Sequence, residues 1–318
     1  MRRFFLRVAG IKELPVAALF VVLFLYFTTR VPGFVEGRGL LDCARQYSCY
    51  AMLAVGLTLV IASAGIDISV GSVVGFSAVV LGVVLSRTGI GLLPACLLAV
   101  LAGAAFGTLN GLAVARMRLQ PVVVTVSTMA AARGLAYVVA GAGISSINLP
   151  ARAGWLENAA YNSPAPVVLA AAVAVAGWLT LSRTGFGRSV LAIGGNEKVA
   201  RLSGIDVARV KIAVYLASGA LAGLAGVMTA GMMYTATTDT GLGYEFEAIT
   251  AVLMGGTSIL GGEATVVGSV LGIATAATIN RGFGLMGISD LWRMMCLGLI
   301  LIASVLVDRL RKRVTLSF

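Results

Sequence analysis

Residues 46–85 read QYSCYAMLAVGLTLVIASAGIDISVGSVVGFSAVVLGVVL, forty residues in which Asp67 is the only charge. The hydrocarbon core of a bilayer is about 30 Å thick and takes about 20 helical residues to cross. This stretch therefore predicts two spans with a turn near Asp67. The same reading extends outward along the chain. Leu14 to Thr29 forms a span ahead of it, and Thr88 to Ala115 one behind it. Leu119 to Ala140, which crosses Arg133, then Pro164 to Ser182 and Ile212 to Thr238 follow. Three shorter runs, Ala248 to Gly261, Ala264 to Asn280 and Met294 to Val307, complete the set. The prediction is an all-α, polytopic integral membrane protein of about ten transmembrane helices (eight to ten), with 1–318 as a single transmembrane domain. Segments near Asp67 and Gly261 read equally as broken or re-entrant helices, which are tolerated only where the backbone is buried in protein or lines a cavity.

Composition agrees. Of 318 residues, 59% are hydrophobic and 12% charged, against about 25% charged in an average soluble domain, and mean hydropathy is +0.98. His is absent, which removes the usual imidazole base and the commonest metal ligand. No catalytic residue and no metal site is expected. Cys43, Cys49, Cys96 and Cys296 contain no Cys-x-x-Cys pair, and the last two lie in apolar stretches where a thiol behaves as a small hydrophobe. The net charge of +11 is spread between apolar runs instead of gathering on a polar surface, so it reads as a topology signal and not as a nucleic-acid footprint.

Short cytoplasmic loops carry the excess of Lys and Arg. Arg2, Arg3, Arg7 and Lys12 precede the first span, and Arg116 and Arg118 close the fourth. Arg183, Arg188, Lys198, Arg201, Arg209 and Lys211 fill one loop, at about 183–211, and Arg309, Arg311, Lys312 and Arg313 end the chain. With these inside and the acidic Asp239, Glu245 and Glu247 segment outside, both termini are expected in the cytoplasm. Arg2-Arg3 before an apolar run superficially looks like a twin-arginine export signal. No small-x-small cleavage site follows Phe27, so this reads as an uncleaved first span.

Three segments stand out. In the 183–211 loop, Asn196 can accept from first-turn amides as an N-cap, Glu197 suits the positive end of a short helix, Gly204 can take the left-handed position after it, and Asp206 can cap the next span. Glu197 and Arg201 lie four apart on one face. Such a capped helix is either a lever another protein can grip or an ordinary solvated loop. The second segment is Ala64-Gly65-Ile66-Asp67-Ile68-Ser69-Val70-Gly71-Ser72, where Asp67 or Ser69 either caps the following helix or, as an intramembrane carboxylate, marks a functional site. The third runs from Gly243 through Glu245, Glu247 and Gly255-Gly256-Thr257-Ser258 to Gly261-Gly262-Glu263; its clustered glycines signal a bent or broken helix, and carboxylates two apart do not face each other on a helix. A faint echo links Val70-Gly71-Ser72-Val73-Val74-Gly75 to Val267-Gly268-Ser269-Val270-Leu271-Gly272. Gly219, Gly223 and Gly226 read as a close-approach stripe between helices. No Gly-Lys pair exists, so there is no phosphate loop of the Walker type, and any ATP drive belongs to a partner.

Together the three segments resemble the permease subunits of bacterial ABC importers for monosaccharides, the ribose, xylose and arabinose group. The stretch Ala64 to Ser72, the loop Ile193-Gly194-Gly195-Asn196-Glu197 through Arg201-Leu202-Ser203-Gly204-Ile205, and Glu247-Ala248-Ile249 with Gly255-Gly256-Thr257-Ser258 and Gly261-Gly262 carry the likeness, which spans most of the chain. One departure is Glu263-Ala264, where the family often has a basic and a small residue; it leaves the local role of this turn open. The resemblance implies an inner-membrane permease, not itself an enzyme, that pairs with a second copy or a sister permease in the lipid bilayer. It would dock an ABC ATPase that uses ATP and Mg, and receive a sugar or related polyol from a periplasmic binding protein. Asn196, Glu197, Arg201 and Gly204 would then form the helix that couples to the ATPase. Asp67, Ser69, Asn110, Thr125, Ser127 and Asn280 are in-span polar groups that would line the path, although Ser and Thr equally bond back to their own helices. The alternative is an ion-coupled secondary transporter with Asp67 or Glu263 at the coupling site.

Overall fold

The computed structural model describes residues 13–306 with the exception of 142, 290, 297, 301, 304 and 305. Its elements are α1 (Leu14–Arg30), α2 (Gly37–Ala62), α3 (Val70–Arg87), α4 (Leu92–Ala115), α5 (Pro121–Ala140), β1 (Ser146–Asn148), a 3-10 turn (Ala151–Ala153), α6 (Gly154–Tyr161), α7 (Ala165–Arg183), α8 (Gly185–Gly195), α9 (Glu197–Leu202), α10 (Val207–Met233), β2 (Thr235–Thr237), α11 (Tyr244–Met254) and α12 (Val266–Leu285). Among the described residues seven helices are long and apolar enough to cross a bilayer: α2, α3, α4, α5, α7, α10 and α12. The protein is a multi-pass membrane protein.

Long-range contacts sort the loops onto two faces. Thr265 Oγ1 donates to Glu13 Oε1 at 2.6 Å, and Gly262 N–H donates to Ala62 O at 3.0 Å, so the start of α1, the end of α2 and the start of α12 share one face. On the opposite face Arg281, near the end of α12, donates through Nε to Phe34 O at 2.7 Å, and β1 pairs antiparallel with β2 in the register Ser146 to Thr237 and Asn148 to Thr235.

Two expected spans differ from the structure. The run Ala248 to Gly261, read as a short span or as a helix broken at its glycines, is the broken form: α11 has 11 residues and reaches only about 16 Å at 1.5 Å per residue. The crossing is completed by non-helical backbone from Gly255 to Thr265, with positive φ at Gly256, Gly261 and Gly262. Buried Thr257 and Ser258 line it, as irregular backbone at membrane depth requires. The span expected over Ile212 to Thr238 ends at Met233, because Tyr234 turns left-handed (φ 52°) and the three following residues become a strand. The last expected span, Met294 to Val307, includes residues outside the described set, as do the basic clusters at both termini.

The interior is built on α2, in which every residue from Tyr47 to Ala62 except Ala51 is buried. Against the other side of the bundle, α4 and α10 approach to backbone contact. A Cβ on Gly107 would lie 2.2 Å from Tyr215 O, and one on Gly219 2.3 Å from Gly103 O, while Gly226 faces Val74 O of α3 at 2.5 Å. The expected glycine stripe is a helix contact shared between α4 and α3. Outer faces are apolar: Leu93, Leu97 and Leu101 of α4, Val123 and Val138 of α5 and Val168 and Val175 of α7 are exposed, as befits helices facing lipid. The faint sequence echo has a structural counterpart, since Gly71-Ser72 and Gly268-Ser269 each fall in the first turn of a helix.

Candidate functional site

The loop predicted to hold a capped helix folds as one. Thr184 Oγ1 accepts from Gly187 N–H at 3.0 Å and starts α8. Asn196 breaks the chain into an extended conformation between α8 and α9 (φ −161°), and its Oδ1 accepts from Val199 N–H at 3.1 Å. Gly204 takes φ +84°, and Asp206 Oδ1 accepts from Arg209 N–H at 3.1 Å to open α10. Asn196, Glu197, Arg201 and Gly204 are thus brought together in one six-residue helix and its caps. Glu197 does more than face Arg201, with which it pairs at 2.9 Å: Lys211, in the first turns of α10, reaches its other oxygen at 2.7 Å. The hydrogen bond from the Lys211 ammonium holds the Glu197 carboxyl below the ordinary carboxylate range. Glu197 and Arg201 are therefore paired within the chain, as their spacing of four allowed. Beside exposed Lys198 and Arg201, α9 offers two apolar side chains to the outside, Leu202, 89% exposed, and Val199, 55% exposed. Sequence reasoning missed these two and Lys211; a leucine far out on a charged, capped helix was the available signal.

The α8–α9 hairpin is wedged against the other two motifs. A Cβ on Gly194 would meet Ala62 O at 1.9 Å and Gly262 N at 2.4 Å, one on Gly262 would meet Gly195 Cα at 2.8 Å, and one on Gly261 would meet Ala64 N at 2.7 Å. Three segments singled out in sequence, 62–69, 193–205 and 255–262, thus converge at one junction on one face. Glycine is required because backbone meets backbone there.

Behind that junction lies a buried polar chain. Asp67 is 1% exposed. Its Oδ1 accepts from Ser69 N–H (3.1 Å) and Ser69 Oγ (2.6 Å), and its Oδ2 from Ser218 Oγ of α10 (3.1 Å). Asn110 Nδ2 of α4 donates to Ser69 Oγ at 2.9 Å, and Thr128 Oγ1 of α5 donates to Asn110 Oδ1 at 2.6 Å. Ile66 O accepts from Tyr215 OH (3.2 Å), and Thr125 Oγ1 lies 3.4 Å from it while donating to Pro121 O of its own helix at 3.0 Å. The turn is tied to α4, α5 and α10 at once. Asp67 makes an Asx-type turn and a cross-helix anchor, and Ser69 spends its hydroxyl on Asp67 instead of capping α3. Tyr215, Ser218 and Thr128 had no sequence signal, since each is one of several polar residues in its helix and the register toward Asp67 depends on the fold.

Of the six expected path residues, Asp67, Ser69, Asn110 and Thr125 come together here. Ser127 does not: it is exposed and donates to Val123 O of its own helix at 2.8 Å. Asn280 lies on α12, near the opposite end. The carboxylates of the third motif separate as expected, Glu247 accepting from Tyr47 OH at 2.7 Å and lying 3.7 Å from Arg293. Arg133, the charge within α5, donates through Nη1 to the carbonyls of Thr238 and Thr240.

A family model described as the permease component of branched-chain amino acid transport systems matches residues 39–305. The chain belongs to this permease family. It is 35% identical over 317 residues to the ribose import permease protein RbsC of Escherichia coli (strain K12), with 96% of each chain covered. To RbsC of Bacillus subtilis (strain 168) the permease is 34% identical over 286 residues, 87% of each. To the L-arabinose transport system permease protein AraH of Escherichia coli (strain K12) it is 34% identical over 304 residues, 93% of this chain and 90% of that one. No solved structure matches the chain.

Proposed function

We propose that this permease is the membrane subunit of an ATP-driven importer for a monosaccharide or related polyol, working as one transmembrane unit in the bacterial inner membrane with both termini in the cytoplasm. It pairs with a second permease, takes solute from a periplasmic binding protein and is driven by a separate ABC ATPase that uses ATP and Mg. The observation that carries this reading is the junction of the α8–α9 hairpin with the Asp67 turn and the Gly261–Gly262 backbone. The hairpin is rigid, being capped at each break and clamped by Glu197, Arg201 and Lys211, and its exposed Leu202 and Val199 fit an apolar cleft on the ATPase. A push on α9 is passed through glycine backbone contacts to the end of α2 and to the irregular segment between α11 and α12, and through Asp67 to α4, α5 and α10. Rocking those helices as bodies is how alternating access is achieved.

The sugar assignment follows RbsC and AraH, whose names give ribose and L-arabinose. The alternative of ion coupling is disfavoured by Asp67 being held by three hydroxyl and amide donors that fix a turn. The test is co-purification from native membranes in mild detergent with partners identified by mass spectrometry. Wild type is expected to retain a Walker-motif ATPase, and Leu202→Glu combined with Val199→Glu to lose it, while the hairpin fold is kept because neither side chain is buried. Purification of the wild-type chain alone, with solute movement in proteoliposomes lacking any ATPase, would sink the importer reading.

A further inference from the structure

We infer that the cavity of 170 Å³ between α2, α6, α10 and α11 is a binding site for a neutral monosaccharide-sized polyol, an inference that rests on the importer reading and adds to it where the solute first meets the permease. Asp42, Arg45, Gln46, Tyr161 and Tyr244 line it, with Thr229 and two methionines of α10. Its place suits entry. Arg45 precedes Ala62, the α2 residue that meets the α8–α9 hairpin, by 17 positions of one helix, which is about 26 Å at 1.5 Å per residue. The cavity therefore opens at the face opposite the hairpin.

Its size and chemistry select the ligand. The volume lies below the roughly 300–1,000 Å³ of pockets for drug-sized ligands, so it admits a small solute only. Arg45 and Asp42 form an ion pair at 2.7 Å, so the site has no net charge to offer an anion or a cation. What it does offer is a carboxylate, a guanidinium and an amide, planar groups that accept and donate in pairs, as neighbouring hydroxyls require. Arg45 is held in advance, donating through Nε to Ser163 O at 2.9 Å with its side chain only 11% exposed. Gln46 is exposed, and its amide is available to a ligand. Tyr161 and Tyr244 supply apolar ring surface with a polar tip for the C–H faces of a sugar.

The site also touches the moving parts. Tyr244 opens α11, the half-span that continues as non-helical backbone to Gly261 and Gly262 under the hairpin. Its ring lies 4.3 Å from that of Tyr50, which lies 5.0 Å from that of Tyr47, whose hydroxyl is bonded to Glu247. A solute against Tyr244 is thereby in contact with a ladder of rings leading inward from α11 to α2.

The experiment is saturation-transfer NMR on the permease assembly in lipid nanodiscs with D-ribose, L-arabinose, D-ribose 5-phosphate and L-leucine at millimolar concentration. Wild type is expected to transfer saturation to ribose or arabinose and to neither the phosphate ester nor leucine. Gln46→Ala and Tyr161→Ala, both exposed positions, are expected to lower that transfer at least fivefold. The proposal is overturned by no sugar signal in wild type, by undiminished signal in both variants, or by a leucine signal that the variants abolish. Whether the ATPase is present in the same wild-type nanodiscs is scored separately: its absence sinks the importer reading, and the sugar result then stands or falls by itself.

Discussion

Asp67 is a residue at which a single oxygen decides between two roles. Removing the carboxyl leaves the Ser69 N–H and hydroxyl and the Ser218 hydroxyl without an acceptor in a buried site, and each orphaned group costs about 1–3 kcal/mol. Asp67→Ala is therefore expected to lower the thermal unfolding midpoint in detergent by several degrees. Asp67→Asn keeps an oxygen for Ser69 and is expected to be milder in stability and to retain uptake; loss of uptake in Asn at unchanged stability would instead favour an ion-coupling carboxylate. Glu197 carries a pH signature. Its carboxyl is held below the ordinary value of 4.5 by Lys211, so the clamp's contribution is complete above that value and is lost as pH falls through the lower folded value. Thermal unfolding of wild type and Glu197→Gln should differ slightly at pH 7, the carboxylate being 42% exposed, and should converge well below pH 4.5. A difference that persists in acid would refute the clamp.

At the scale of the element, the α8–α9 hairpin has two adjacent glycines with opposite surroundings. A Cβ on Gly194 would sit 1.9 Å from Ala62 O, whereas one on Gly195 meets nothing within 4 Å. Overpacking costs about 1–3 kcal/mol and more where backbone must move, so Gly194→Ala is expected to push the hairpin off the α2 turn. The outcome is loss of ATP-dependent uptake in cells, with Gly195→Ala near wild type because that position is helical and open. Equal behaviour of the two variants in an uptake assay would show that the junction transmits nothing. The element scale is also where the two readings of the α11 region part, hydropathy suggesting a span and the clustered glycines a broken helix. Ala248 to Gly261 is apolar enough for a span, but hydropathy does not register that four glycines, at 255, 256, 261 and 262, can leave the helix where protein surrounds them.

For the whole molecule, the α4–α10 contact is the test of how the bundle holds together. In lipid there is no hydrophobic drive between helices, and close backbone approach at small residues replaces it. Gly107→Leu would thrust a side chain into Tyr215 O, 2.2 Å from the Cβ position, while Gly134→Leu on the exposed face of α5 meets nothing within 4 Å. The first is expected to lose more than about 3 kcal/mol and to give no monodisperse protein by size-exclusion chromatography; the second is expected to purify normally. Similar yields would refute a contact-driven bundle.

Much of this architecture was legible along the chain, because bilayer thickness imposes a length that uncharged runs display directly, and because helix caps are local: Asn196, Gly204 and Asp206 act within four residues of themselves. The three motifs, and the pairing of Glu197 with Arg201 at one helical turn, followed from the same short-range rules. What only the tertiary structure decided were the partners far apart in sequence. Lys211 on Glu197, Ser218 and Asn110 around Asp67, Gly262 under Gly194, and Tyr161 beside Gln46 have no spacing that announces them. Helix ends depended on the fold as well, as α10 stopping at Tyr234 shows. The physical reason is that hydropathy and capping are properties of a residue and its neighbours along the chain, whereas a buried hydrogen bond or a backbone contact at glycine exists only once two helices have chosen their register.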